Sequence, residues 1–143
     1  MTSIQITDPG IIEKEFTPSG GTTGTQPVIV GPAFSGHFSK FYRMVHFEVQ
    51  VDFDNITSFG TGQYYITLPF PSHSSYIFRD GCIHDISAST QYSISGHVLA
   101  GSNQMLLFST ASNGRDVPFE HNVPFNLDQQ DNFHIAGYYI AEN

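Results

Sequence analysis

Tryptophan is absent, cysteine occurs once, and lysine and arginine together number only five in 143 residues. A single thiol, Cys82, excludes an intrachain disulfide framework, so the fold must rest on burial. Cys82 lies in an apolar, strand-like stretch and is expected to be a buried free thiol. The five cations, Lys14, Lys40, Arg43, Arg79 and Arg115, are scattered against thirteen acids, giving a formal charge of −8. Nucleic-acid binding by phosphate neutralisation needs clustered bases, so nucleic acid is excluded as an expected partner. No apolar segment approaches the roughly 20 residues of a membrane span, and membrane insertion is not expected. The opening MTSIQITDPG has no basic stretch followed by an apolar run. That predicts synthesis in the cytoplasm, with any outside location reached by assembly. Charged residues make up only 13%, about half the usual share, which leaves few ionisable groups for chemistry.

Aromatic residues and alternation are abundant instead. Thirteen Phe and seven Tyr bring the aromatic share to 14%. Val45, Phe47, Val49, Val51 and Phe53 alternate with Met44, His46, Glu48, Gln50 and Asp52. Period-2 patterning of this length predicts a strand with one buried and one wet face, and it excludes a helix. Further strands are predicted over Tyr64–Leu68, Tyr76–Ile86, Tyr92–Val98, Gln104–Phe108 and Phe133–Ile140. Asp80-Gly81 predicts a bulge or tight turn inside the second of these. Ser58–Gly62, Ala100–Asn103 and Ser112–Gly114 carry turn chemistry. Pro118 and Pro124 confine their neighbours to strand edges. Many short strands at this spacing predict an all-β, antiparallel two-sheet β-sandwich, jelly-roll-like, over residues 33–143.

Residues 1–32 lack sustained alternation and are rich in Gly, Pro, Ser and Thr. Ile11–Phe16 is mildly helical in pattern and is ended by Pro18. The spaced apolar residues predict an extended N-terminal arm that docks on a neighbouring subunit by backbone pairing. Ile4, Ile6, Ile11, Ile12 and Phe16 are the expected docking contacts.

Reactive constellations are few. Seven histidines include no helical H-x-x-x-H pair. His46 and Glu48 share one wet strand face, where a β-strand metal chelate completed by His134 or His97 competes with simple structural histidines. The sequence has no G-x-S-x-G elbow. Cys82 and His84 lie on one strand face, with nothing to lower the thiol pKa. Asp80, Asp85, Asp116 and Glu120 sit beside turn residues or prolines, where acids serve solubility and Asx turns rather than glycoside hydrolysis. Asn55-Ile56-Thr57 fits the glycosylation sequon. Tyr65 and Tyr138 could stack on sugar faces, although core or subunit packing is the commoner role of such rings. No catalytic residue, metal ligand or cofactor is therefore expected, and the chain is not expected to be an enzyme.

Several short motifs recur in order. Phe16-Thr17-Pro18-Ser19-Gly20-Gly21-Thr22 is followed by Ser35-Gly36-His37-Phe38 and Val45-His46-Phe47. Thr57-Ser58-Phe59-Gly60-Thr61-Gly62, Leu68-Pro69-Phe70-Pro71 and Phe78-Arg79-Asp80-Gly81 complete the series. Together, over roughly residues 15–141, they resemble a β-sandwich module of tailed-bacteriophage virion proteins, found at tail-fibre tips and in capsid decorations. Two positions depart from that pattern: Thr25-Gln26 stands where an aromatic is common, and Phe41-Tyr42-Arg43 where a glycine commonly makes a turn. The resemblance implies a homotrimeric projection on the virion surface. A chain that enters the module after a short arm points to a capsid decoration (cement) protein docked on the major capsid protein or other virion proteins. The other reading is a tail-fibre or tail-tip module binding a host surface glycan.

Overall fold

The alternating segment is the spine of the molecule. In the computed structural model, which describes residues 11–142, strand β5 spans Met44–Asp52 and buries Val45, Phe47, Val49 and Val51. It forms a hairpin with β4 (Phe34–Phe41), in register from Phe41↔Met44 to Phe34↔Val51. The turn between them takes Tyr42 through φ 55°, a left-handed conformation that glycine adopts without strain. Arg43 holds that turn in place. Its Nε donates to the Ala141 carbonyl at 3.0 Å, and its own carbonyl accepts from the Ala141 amide at 2.8 Å. These two bonds anchor the turn to the residue that follows the last strand.

Twelve strands form among the described residues, together with one 3-10 turn at Phe53–Asn55. The others are β1 (Ile11–Phe16), β2 (Gly20–Thr22), β3 (Val28–Ile29), β6 (Ile56–Ser58), β7 (Tyr64–Thr67), β8 (Tyr76–Asp85), β9 (Thr90–Val98), β10 (Gln104–Thr110), β11 (Asp116–Pro118) and β12 (Asn132–Ile140). Every pairing is antiparallel, and the main sheet runs β1-β4-β5-β12-β8-β9-β10-β7-β2, with β11 added on β10. β3 and β6 make a separate two-stranded sheet. The expected all-β, sandwich-like fold is therefore present. Its two layers are the halves of one curled sheet, with β4, β5 and β12 facing β7 and β10 across a common core.

β8 carries the irregularity expected at Asp80-Gly81, because its register with β9 shifts between Phe78 and Gly81. A side chain at Gly81 would stand 2.5 Å from the Ile94 carbonyl, so the two backbones meet there without room for a Cβ. β12 closes the sheet between β5 and β8 and turns Phe133, Ile135 and Tyr139 inward. Phe47 packs edge-on to Phe78 at 4.9 Å, and both rings pack against Tyr139. The Tyr139 hydroxyl donates to the Phe70 carbonyl at 2.9 Å and accepts from the Phe70 amide at 3.1 Å. Burying an aromatic or branched side chain of this kind contributes about 1.5–3 kcal/mol.

Residues 11–32 differ from the sequence expectation. Ile11–Phe16 is a strand rather than a helical turn, and it pairs along its whole length with β4, from Ile11↔Phe41 to Phe16↔Gly36. β2 pairs with β7, and β3 with β6. From Ile11 onward the expected arm is thus paired within its own chain, and the sheet shows no break at residue 32. Ile4 and Ile6 lie outside the described residues. The physical reason is local: Phe16 has its own pocket, edge-on to Phe38 at 5.9 Å and over Gly36, which anchors β1 in cis.

Two tests follow from the core. A Cβ at Gly137 would lie 2.4 Å from Phe78 Cδ1 and 3.2 Å from Phe47 Cε1. Gly137→Ala is expected to destabilise the fold by about 1–3 kcal/mol through overpacking, read by urea denaturation. Burial pushes the Tyr139 phenol from its ordinary 10.0 up to about 12. The unfolded chain therefore ionises first, and stability complete below pH 10 is lost as pH rises toward 12. Tyr139 contributes about 3 kcal/mol to that loss, so Tyr139→Phe should lose that much less than the native chain, measured by denaturation across the alkaline window.

Candidate functional site

The outer face of β1, β4, β5, β12 and β8 gathers most of the polar and aromatic groups singled out above. Side chains in register form rows across it. Glu15, His37, Glu48, Ala136 and Asp80 are successive partners along one row. Glu13, Ser39, His46 and Tyr138 make the next. Ile11, Phe41, Met44 and Ile140 end the face on that side. On the other side Ser35, Gln50, His134, Cys82 and Ser93 form a further row.

The end row is apolar and open. Ile11, Phe41 and Met44 are exposed, and Tyr42 and Tyr138 beside them are 68% and 67% exposed. Phe41 stacks edge-on to Tyr42 at 4.6 Å, and Tyr138 leans on His46 at 4.8 Å. Large contiguous apolar patches of this kind mark interaction sites. Lys14 and Lys40 alternate to the opposite face of the same strands, in register with buried Phe38 and Val45. Lys40 Nζ caps the Phe70 ring at 4.5 Å. Sequence reasoning missed this patch because Phe41, Tyr42 and Met44 flank a turn. The available signal was that Met44 continues the wet face of β5 with an apolar side chain.

Beside the patch an open groove of about 740 Å³ runs along β1, β4 and β5. Glu13, Glu15, Glu48, His37 and Gln50 line it. His37 Nε2 stands 3.3 Å from Glu48 Oε2, with both side chains about half exposed, so solvent screens the pair. Carboxylate, amide and hydroxyl groups at such spacing can take the hydroxyls of a sugar or a cationic group.

The remaining candidates are dispersed. His97 stacks on Phe108 at 4.1 Å, and its Nε2 is 3.5 Å from Asp116 Oδ2. Burial lowers the His97 pKa against the pull of Asp116, and Arg79 adds to the lowering. Ser95 Oγ also lies 3.5 Å from Nε2. A nucleophile relay needs the hydroxyl and the carboxylate on different ring nitrogens, so this trio does not form one. Arg79 Nη1 reaches the same Asp116 oxygen at 3.6 Å, which ties β11 to the β8 bulge. Asp85 accepts from Ser87 Oγ and the Ala88 amide within its own turn. Fully buried Asp131 accepts from the amides of Asp128 and Ile86, and burial raises its pKa. Asp80 is exposed on the bulge, and Glu120 lies in a two-way backbone bridge with Val123. The four acids weighed in the sequence thus occupy four separate local roles.

His46 and Glu48 do share the outer face, but His134 pairs opposite Gln50 and His97 belongs to β9 beyond β8. Among the described residues no three His, Cys, Asp or Glu side chains already converge as a metal site. Cys82, expected to be buried, is only partly so, because the β12–β8 register puts it opposite His134 on the outer face. Its Sγ meets Gln91 Oε1 at 3.7 Å, and burial raises its pKa. The Asn55 amide of the sequon donates to the Pro32 carbonyl at 2.7 Å. Tyr65 is half-buried over Gly21, whereas Tyr138 is exposed beside His46. Of the docking residues, Ile11 and Ile12 are exposed on β1 and Phe16 is packed against Phe38.

The sequence matches no protein-family model, and no curated protein matches it significantly. Among solved structures, the crystal structure of Dettilon tailspike protein (gp208) is similar in fold, with a TM-score of 0.64 at 16% identity. The alignment covers 91% of this chain and 24% of that one, so the chain spans about a quarter of the tailspike's length.

The outer face is expected to contribute little to folding. Glu48→Gln and Tyr138→Ala should each change unfolding free energy by no more than about 0.5 kcal/mol, checked by chemical denaturation.

Proposed function

We propose that this chain is a homotrimeric projection module on the surface of a tailed-phage particle, synthesised in the host cytoplasm and working by contact rather than catalysis. The observation that carries this reading is the fold likeness to a segment of a tailspike protein over nearly the whole chain. The exposed apolar row beside an acidic groove supports it, since such a face serves adhesion and assembly.

Between a head decoration that cements the major capsid protein and a tail module, the tailspike likeness favours the tail. The groove of Glu13, Glu15, Glu48 and Gln50 beside Tyr138 then becomes the expected contact for a host surface glycan. The Ile11, Phe41, Met44 and Tyr42 patch becomes the contact between protomers. An exposed apolar patch on a module of identical protomers takes a second copy as its partner surface.

The expected outcome is a trimer in solution by light scattering, converted to a folded monomer by Met44→Asp. A wild-type monomer, or a trimer indifferent to Met44→Asp, would overturn the proposed interface. Antibody labelling of virions should mark the tail in a few copies. Labelling of the head in hundreds of copies would return the reading to capsid decoration.

A further inference from the structure

Cys82, His84 and His134 occupy a triangle of neighbouring outward positions. Cys82 and His84 lie two residues apart on β8, and His134 is the direct partner of Cys82 on β12. The two imidazoles are already close, with ring centres 5.8 Å apart and planes inclined by 38°. Two imidazoles bound to one tetrahedral zinc hold their ring centres about 5 Å apart. The three donors do not converge in this structure, so binding requires the thiol and both imidazoles to turn toward one point above the strands. The thiol makes a long contact to Gln91 Oε1 and meets the backbone of Tyr92.

The surroundings favour a cation. The positions bordering the triangle in register are Gln50, Asn132, Gln91, Ser93 and Ala136, and none of them is basic. Asp80, the next outward position along β8, adds a carboxylate to the same face. A strand pair that offers two ligands at i and i+2 and a third directly across is a compact way to present three donors to one ion. One sulfur and two imidazole nitrogens suit a borderline-soft, tetrahedral divalent cation.

We propose that Cys82, His84 and His134 bind one zinc-class divalent cation, with water in the fourth position. On binding, the thiol gives its proton to solvent as the sulfur–metal bond forms, and each imidazole donates a lone pair from one ring nitrogen. The ion then bridges β12 to β8, the seam at which the chain's last strand is inserted. Binding to the folded state alone raises its stability. This site is independent of the trimer and of any glycan.

The test uses the full chain and Co²⁺ as a spectroscopic probe. Titration should give one equivalent with a thiolate-to-cobalt charge-transfer band in the near ultraviolet, displaced by Zn²⁺. Cys82→Ser should abolish that band, and His84→Ala and His134→Ala should each weaken binding about tenfold or more. His46→Ala, on the same face, should leave binding unchanged. Saturating Zn²⁺ should raise the melting temperature of the native chain and not that of Cys82→Ser. Absence of the band in the native chain would overturn the proposal. So would a band that survives in both histidine variants, or cobalt bound without thiolate character. Circular dichroism of each outward-facing variant separates a lost ligand from a lost fold.

Discussion

Everything in this sheet depends on β12 being accepted between β5 and β8. The β4–β5 hairpin and the β8–β9–β10 meander are each continuous with themselves, but they have no direct edge in common. The last strand of the chain supplies both edges at once, pairing from Asn132↔Asp52 to Ile140↔Met44 on one side and with His84 through Asp80 on the other. Its inner side chains seal the core, and the bare Gly137 leaves room for the Phe78 and Phe47 rings. Non-local closure of this kind orders both flanking units only when the final segment arrives, and such topologies fold slowly for that reason.

The same insertion creates the outer face. Because side chains alternate, each inward residue of β12 is matched by an outward one, and His134, Ala136 and Tyr138 join positions from β5 and β8 into rows. Packing has claimed the inner face, so the outer one is free for contact. The apolar end row and the histidine-bearing middle are two chemistries on one surface, held at fixed spacing by register rather than by loops.

Much of this was legible in the residues. The alternation of Met44–Phe53, the bulge at Asp80-Gly81 and the turns at Gly60, Gly62, Gly101 and Gly114, all at positive φ, follow from local physics. Pairing partners do not, because register is set by non-local packing. Ile11–Phe16 shows the limit. Two adjacent isoleucines followed by Glu-Lys-Glu carry no clean period, and the segment is a strand through its pairing with β4 and the Phe16 contact with Phe38. The site was legible in part: His46 and Glu48 were placed on one face correctly. Cys82 was assigned to the interior because a run rich in Ile and Phe hides which of its residues point outward. The Phe41–Met44 patch was missed because apolar residues at a hairpin tip look like core residues until the turn is located.

The edge of the sheet helps decide how copies can meet. Among the described residues β1 ends the sheet, and its outer backbone edge is a template for a second β1. An antiparallel twofold pairing that keeps the outer face outward must place residues of the same face opposite one another. The two central registers then set Glu13 against Glu13, or Lys14 against Lys14 with Glu13 against Glu15. Like charges directly opposite destabilise a strand pair, so the edge resists joining two copies into one continuous sheet. Association is left to the faces. There the apolar row of Ile11, Phe41 and Met44, with Tyr42 beside it, is the surface left to associate. A contact between unlike surfaces gives a ring where its rotation closes and an open filament where it does not, and three is the smallest such ring without a twofold axis.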